Sequence, residues 1–281
     1  MRQPVFRFAP SPNGYLHMGH AYSALYTAQW ARAMGGRFLL RIEDIDRERS
    51  KPEFTEAIFD DLNWLGLEWE EPVWRQSDRL PAYIAAADRL RQYDLLYPCF
   101  CSRSDIATTA TGTDPDGAPL YAGTCRHLDH NQTKQRLADG EEANWRLKTD
   151  AAMHLTGLLT FTVAGPTPID RPQVRYARPE LWGDVVLQRK GASTSYHLSV
   201  VVDDAAQGVT HVTRGRDMEP STDIHVLLQM LLGLTTPTYT FHKLILDAEG
   251  RKLSKSKGSE SLRSLREAGW TAEDVRHELG F

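Results

Sequence analysis

Residues 5 to 42 read as strand, turn, helix and strand in close succession, and that order leaves few folds open. Residues 5–9 are a short apolar run, and Pro10-Ser11-Pro12-Asn13-Gly14 is turn chemistry. A helical pattern follows from about Met18 to Ala33, Gly35-Gly36 ends it, and Phe38-Leu39-Leu40-Arg41-Ile42 begins a second strand. So compact a sequence predicts a parallel βαβ unit of the nucleotide-binding type.

The rest of the chain continues in that idiom, with one interruption. Helices are expected over 52–65 and 79–95. Residues 99–128 hold all three cysteines and a soft Thr/Gly/Asp/Pro tract at 108–119, expected to be a mobile loop. Strand-like runs return at 144–148, 159–163, 184–189, 196–202 and 208–214, then a helix near 221–233 and a strand at 239–246. One or two short helices end the chain, with Thr271-x-x-Asp274 as a capping signal. No internal repeat is visible. The expected architecture is an α/β Rossmann-like parallel sheet, its first half at 1–95 and its second at 186–258. A cysteine-bearing insert lies between them at 96–185, and a short helical tail follows at 259–281.

Composition narrows the class. The chain has 281 residues, 41% of them hydrophobic, enough for a real core. Against 37 acidic residues stand 33 basic ones, a net charge of −4, so no broad basic field advertises nucleic acid. A nucleic-acid partner has to be argued from local features. No apolar stretch suits a membrane span, the N-terminus lacks a signal-like pattern, and an odd number of cysteines fits a reducing cytoplasm. Without a heptad run, a monomer is the default expectation.

Two cassettes carry the chemistry. His17-Met18-Gly19-His20 falls where the first helix should begin, and a helix N-terminus offers unpaired N–H groups and partial positive charge to a phosphate. His17 and His20, three apart, can face one ligand, and Gly19 lets a flat base approach the backbone. Alone, such a motif is as readily a metal pair or two surface histidines. Near the other end, Arg251-Lys252-Leu253-Ser254-Lys255-Ser256-Lys257-Gly258 packs mobile cations and hydroxyls into a Gly-flanked loop. Alone, that is an ordinary solvated basic turn. The pair, in this order, points to ATP.

The chain at this point resembles the class I aminoacyl-tRNA synthetases, whose signatures are HIGH and KMSKS, and within them the glutamyl branch. Arg7–Gly14 is close to that branch's RFAPSPTG, residues 41–46 resemble RIEDTD, and residues 208–215 resemble GVTHVIRG. The resemblance implies that ATP contacts His17, Gly19, His20 and Lys255. His17, His20, Lys252 and Lys255, with Mg²⁺, would neutralise the leaving pyrophosphate. It further implies that L-glutamate sits among Arg7, Phe8, Ala9, Pro10, Ser11, Glu43, Tyr196 and Arg214. The chemistry agrees: an acidic side chain needs a guanidinium fork, for which Arg7 and Arg214 qualify, and Glu43 suits an α-ammonium. Outside this context Arg214 would read as a surface ion pair and Tyr196 as a half-buried core residue. One departure stands out. The branch continues the arginine block as RGEDH, whereas here it reads Arg214-Gly215-Arg216-Asp217-Met218, which puts the usual tRNA contacts in doubt.

Cys99-x-Cys101 and Cys125 supply three soft ligands for a tetrahedral zinc site. Chemistry alone would complete it with His127 or His130. The short members of the glutamyl-like group carry C-x-C…Y-x-x-x-C, which implies Tyr121 instead.

The chain also ends soon after Gly258, where full-length glutamyl enzymes continue into an anticodon-reading domain. This layout resembles the short glutamyl-queuosine group, which implies tRNA-independent activation of glutamate and its transfer to the queuosine base in the anticodon loop of tRNA(Asp). The alternative is a glutamyl-tRNA synthetase core that charges the 3′ end of tRNA(Glu).

Overall fold

The computed structural model describes residues 3–192, 194–246, 250, 253 and 260–281. In chain order the elements are β1 (Val5–Phe8), α1 (Met18–Ala33), β2 (Arg37–Ile42), α2 (Pro52–Trp64), β3 (Glu70–Arg75), α3 (Leu80–Gln92) and β4 (Leu96–Cys99). Next come α4 (Arg103–Thr109), α5 (His130–Ala138), β5 (Asn144–Leu147), α6 (Thr149–Thr156), β6 (Thr160–Val163), β7 (Gln173–Tyr176) and β8 (Val186–Gln188). The last are α7 (Tyr196–Ala206), β9 (His211–Gly215), α8 (Thr222–Leu231), β10 (Thr238–His242), α9 (Leu262–Glu267) and α10 (Ala272–Leu279).

The expected βαβ unit is present: β1 pairs in parallel with β2, which pairs in parallel with β3. A second sheet runs β7-β6-β10-β9, with β9, β10 and β6 parallel and β7 antiparallel at its edge. The two meet side by side where Thr210 N–H donates to Val5 O at 3.0 Å and Val5 N–H donates to the Thr210 hydroxyl at 2.8 Å. The carboxyl ends of β1 and β9 therefore lie together, the usual place for a ligand crevice in an open α/β sheet. The third sheet, β4-β5-β8, is antiparallel, and β4 ends at Cys99.

Four features differ from the sequence expectations. Residues 196–202 form not a strand but the start of α7. The Val200-Val201-Val202 run favours β structure by propensity, yet in a strand Asp203 and Asp204 would face opposite sides. In a helix both turn toward Arg41, and that buried pairing wins. Next, β6 and β7, inside the interval 96–185, join the parallel sheet through β10 instead of standing with the cysteines. The soft tract at 108–119 holds a defined turn: Asp114 accepts from Asp116 and Ala118 N–H, and Thr113 bridges Pro119. Finally, the strands β3, β4 and β7 and the short helices α4, α5 and α6 are additional elements that the sequence did not signal.

The core has two main lobes. One surrounds α7, α8, β9 and β10 with Val201, Val212, Ile224 and Tyr239 at its centre. The other gathers α1, α2 and the C-terminal helices, with Leu25, Ile58, Leu262 and Val275 buried together. The Thr271 cap is observed, with Asp274 N–H donating to the hydroxyl at 3.1 Å. Leu262 N–H donates to Leu16 O at 2.8 Å, so the tail is stitched to the loop that enters α1. Among the described residues, no helix is long and apolar enough to cross a membrane.

Candidate active site

A cleft of about 1250 Å³ opens at the junction of β1 and β9. Arg7, Phe8, Ala9, Pro10 and Ser11 line it from the end of β1, Glu43 from the end of β2, Tyr196 from the start of α7, and Arg214 from β9. His17, Gly19 and His20 line it from the first turn of α1. Residues up to 207 positions apart thus share one wall, except Lys252 and Lys255, which lie outside the described residues.

The histidine cassette is built as a helix cap. His17 is the N-cap of α1: Gly19 N–H donates to its Nδ1 at 3.1 Å, and His17 N–H donates to Nδ1 of His20 at 3.3 Å. Each Nδ1 is therefore an acceptor, which places the ring proton of each neutral imidazole on Nε2. Two Nε2–H donors beside the positive end of a helix suit a phosphate. Gly19 has a nearer reason than the approach of a base: a Cβ there would stand 3.0 Å from Cε1 of His17, tight enough to disturb the capping ring.

Beneath the cleft lies a charge network that sequence reading missed. Arg41 is fully buried and donates to Asp204 at 2.8 Å, to Glu43 at 3.1 Å and to the Gln207 amide oxygen at 2.8 Å. Arg7 donates through Nε to the same Asp204 oxygen at 3.0 Å and through Nη1 to Thr213 O at 3.3 Å. Asp203 takes Arg79 at 2.6 Å and the Tyr83 hydroxyl at 2.6 Å. Burial opposes Arg41's charge, but Asp204, Glu43 and Asp203 outweigh it and push its pKa up. Burial likewise opposes the Asp204 charge, yet Arg7 and Arg41 hold it below the usual carboxylate range. At Glu43 burial prevails over the pull of Arg41 and Arg7, and its pKa is raised. The adjacent acids ending an apolar run were the available signal for this network; Arg41 itself sat in plain view in the Arg41-Ile42-Glu43 block.

Arg214 is held differently. Its Nη1 donates to Nδ1 of His225 at 3.1 Å and its Nη2 to the Thr222 hydroxyl, while its guanidinium lies over the rings of Tyr239 at 5.1 Å and Phe241 at 5.8 Å. His225 Nε2 is 3.2 Å from Nδ1 of His197. Burial, reinforced by Arg214, drives the pKa of His225 well down and that of His197 to about 4. The Tyr196 ring packs against both histidines. In the departing strip, Asp217 and Met218 also line the cleft, and a Cβ on Gly215 would meet Asp217 Oδ1 at 2.4 Å.

Away from the cleft, the ligand atoms of Cys99, Cys101 and Cys125 lie within 4.8 Å of one another. The Cys101 and Cys125 sulfurs are 3.4 Å apart, and Cys125 N–H donates to the Tyr121 hydroxyl at 2.7 Å. Burial, with Cys99 and Cys125 beside it, raises the Tyr121 pKa. Among the described residues, neither His127 nor His130 joins this cluster. Three soft thiols with a hydroxyl at their margin could hold a tetrahedral metal ion.

An open parallel sheet, a capped histidine pair at a helix N-terminus and an arginine-rich crevice at the strand ends together make an architecture of the class I synthetase type. The family model for the catalytic domain of class I tRNA synthetases (E and Q) matches residues 4–279, and the chain belongs to that family of ligases. It is 48% identical over 287 aligned residues to the glutamyl-Q tRNA(Asp) synthetase of Rhodobacter capsulatus, covering 99% of this chain and 100% of that one. To the protein of the same name from Symbiobacterium thermophilum it is 40% identical, covering 98% of this chain and 85% of the relative. Among solved structures, a glutamate tRNA ligase from Elizabethkingia meningosepticum in complex with its amino acid superposes with a TM-score of 0.72 at 26% identity, over 96% of this chain. The chain spans 54% of that synthetase's length.

Proposed function

We propose that the enzyme activates L-glutamate with ATP, independently of tRNA, and transfers it to the queuosine base in the anticodon loop of tRNA(Asp). The observation that carries the activation step is the convergence of Arg7, Glu43, Tyr196 and Arg214 on one cleft beside the capped histidine pair. Glutamate's α-carboxylate is already ionised and needs no general base. One of its oxygens bonds to the α-phosphorus of ATP in line as the bond to the β-phosphate oxygen breaks, giving glutamyl-adenylate and pyrophosphate. Positioning and electrostatics carry this step. His17 and His20 stabilise the charge that develops on the phosphates through their Nε2–H groups, joined by Lys252 and Lys255; Mg²⁺ bound with the nucleotide would neutralise part of the same charge. Arg214 takes the side-chain carboxylate and Glu43 the α-ammonium. A hydroxyl of the queuosine ring then attacks the acyl carbon, and AMP leaves.

The acceptor rests on the resemblance to the glutamyl-Q relatives, and an unpaired anticodon loop suits it because its bases can splay out and stack. Cys99, Cys101, Tyr121 and Cys125 would hold one zinc ion, which would fasten this segment without entering the chemistry.

Glutamate-dependent ATP–pyrophosphate exchange without tRNA, followed by a comparison of acceptors, tests the proposal. Esterification of tRNA(Asp) bearing queuosine but not of tRNA(Asp) lacking it is expected. Charging of tRNA(Glu) would establish the alternative. Lys255→Ala should abolish exchange and leave the fold intact.

A further inference from the structure

Arg214 combines deep burial with an absence of compensating charge. It is only 7% exposed, yet among the described residues no carboxylate pairs with it, and its Nε has no hydrogen-bond partner. Arg7 and Arg41, equally buried, share Asp204. A buried guanidinium is ordinarily paired, because the isolated charge is costly. What holds Arg214 is a neutral chain. A guanidinium can only donate, so Nδ1 of His225 must accept, and the His225 ring proton must sit on Nε2. That Nε2–H donates in turn to Nδ1 of His197, whose own proton is then on Nε2. Each ring fixes the tautomer of the next, and the Thr222 hydroxyl fastens the other terminal nitrogen.

We infer that His225, oriented by His197, is a positioning residue that sets substrate specificity: it aims Arg214 into the cleft without neutralising it, so that the guanidinium charge is left for the carboxylate of an acidic side chain. This rests on the proposed activation of glutamate. A carboxylate at position 225 would hold Arg214 just as firmly but would satisfy its charge internally, and a neutral amide side chain would then compete with an acidic one. Burial and the neighbouring guanidinium keep both imidazoles uncharged at neutral pH, which the neutral chain requires.

Steady-state exchange with glutamate and with glutamine, on wild type, His225→Gln, His225→Leu and His225→Glu, tests the inference. A glutamine at 225 can accept from Arg214 and donate to His197, so His225→Gln should keep both KM for glutamate and the preference over glutamine within about threefold. Loss of the acceptor in His225→Leu should raise KM for glutamate roughly tenfold, with KM for ATP and kcat unchanged. His225→Glu should lower the glutamate-to-glutamine preference about tenfold or more. Folded Leu and Glu variants with wild-type KM and preference would overturn the inference. Histidine ¹⁵N spectra of the wild type supply a readout independent of the substrate, and of whether the Glu variant folds. An unprotonated Nδ1 on His225 supports the role, and a protonated one overturns it. Wild type without glutamate-dependent exchange would instead remove the proposed activity, leaving the tautomer to decide the geometry.

Discussion

Arg7 and Arg41 sit among carboxylates, whereas Arg214, on the adjoining strand, sits among an imidazole, a hydroxyl and two aromatic rings. All three guanidinium groups are nearly inaccessible. On the β1–β2 side, opposite charges cancel within the protein, and the result is a rigid floor. On the β9 side, the protein fastens the two terminal nitrogens of Arg214 and leaves the charge outstanding. A buried ion pair is costly to break and adds little net stability. A buried charge held by neutral partners is also costly, and that cost is offset when an anion binds. The same residue type thus serves as framework in one place and, in the proposed function, as receptor on the adjoining strand.

The largest effect should come from breaking the floor. Asp204→Ala leaves buried Arg7 without an ion-pair partner among the described residues and takes one of three carboxylates from Arg41, and a loss of about 3–5 kcal/mol in unfolding free energy is expected by chemical denaturation. Arg214→Ala should do the reverse. It removes a charge the fold does not need, so stability should hold or rise slightly. The specificity constant for glutamate in the exchange assay should fall by roughly 3 kcal/mol, on the order of a hundredfold. If instead Asp204→Ala proved mild and Arg214→Ala strongly destabilising, the contrast between the two sides would be lost.

Acid should separate them next. The folded-state pKa of His197, about 4, is depressed below its ordinary value of 6.5 by burial first and then by Arg214. The unfolded chain therefore takes up a proton before the folded one does. The stability contribution is intact above pH 6.5 and is lost as pH falls toward 4, by roughly 3 kcal/mol. His225, depressed in the same direction, adds to the loss. A His197→Gln variant should have a flatter stability curve over that window in thermal denaturation at stepped pH. Asp204, whose folded pKa is lowered, keeps its contribution until pH falls further, below the usual carboxylate range. The smallest effect belongs to Thr222→Val, which deletes one of the two side-chain hydrogen-bond acceptors of Arg214 at nearly constant volume. KM for glutamate should rise about fivefold, near 1 kcal/mol, with kcat held.

Much of this site was legible before any coordinates. Arg7, Glu43, Tyr196 and Arg214, with the His17–His20 cassette, were singled out from short motifs, and they line one cleft. The cysteine spacing likewise named Cys99, Cys101 and Cys125, which do cluster. What the motifs concealed were the partners of those residues. His225 and His197 have no signature, because a tautomer chain is a property of distances between helices and not of spacing along one. Asp203 and Asp204 were hidden behind a wrong period. Three consecutive valines read as a strand, and only the position of Arg41 on the neighbouring strand makes a helix the conformation that turns both acids inward.

The sequence by itself determined the βαβ start, the histidine cap at a helix N-terminus and the identity of Arg7 and Arg214 as arginines that line the cleft. These follow from local propensity, turn chemistry and motif order, all of which act over a few residues. Only the tertiary structure decided which arginine keeps its charge available. Compensation is set by which groups lie within about 4 Å in a low-dielectric interior. For Arg7 that group is Asp204, 197 residues away in the chain; for Arg214 it is the His225–His197 pair, carried on two different helices.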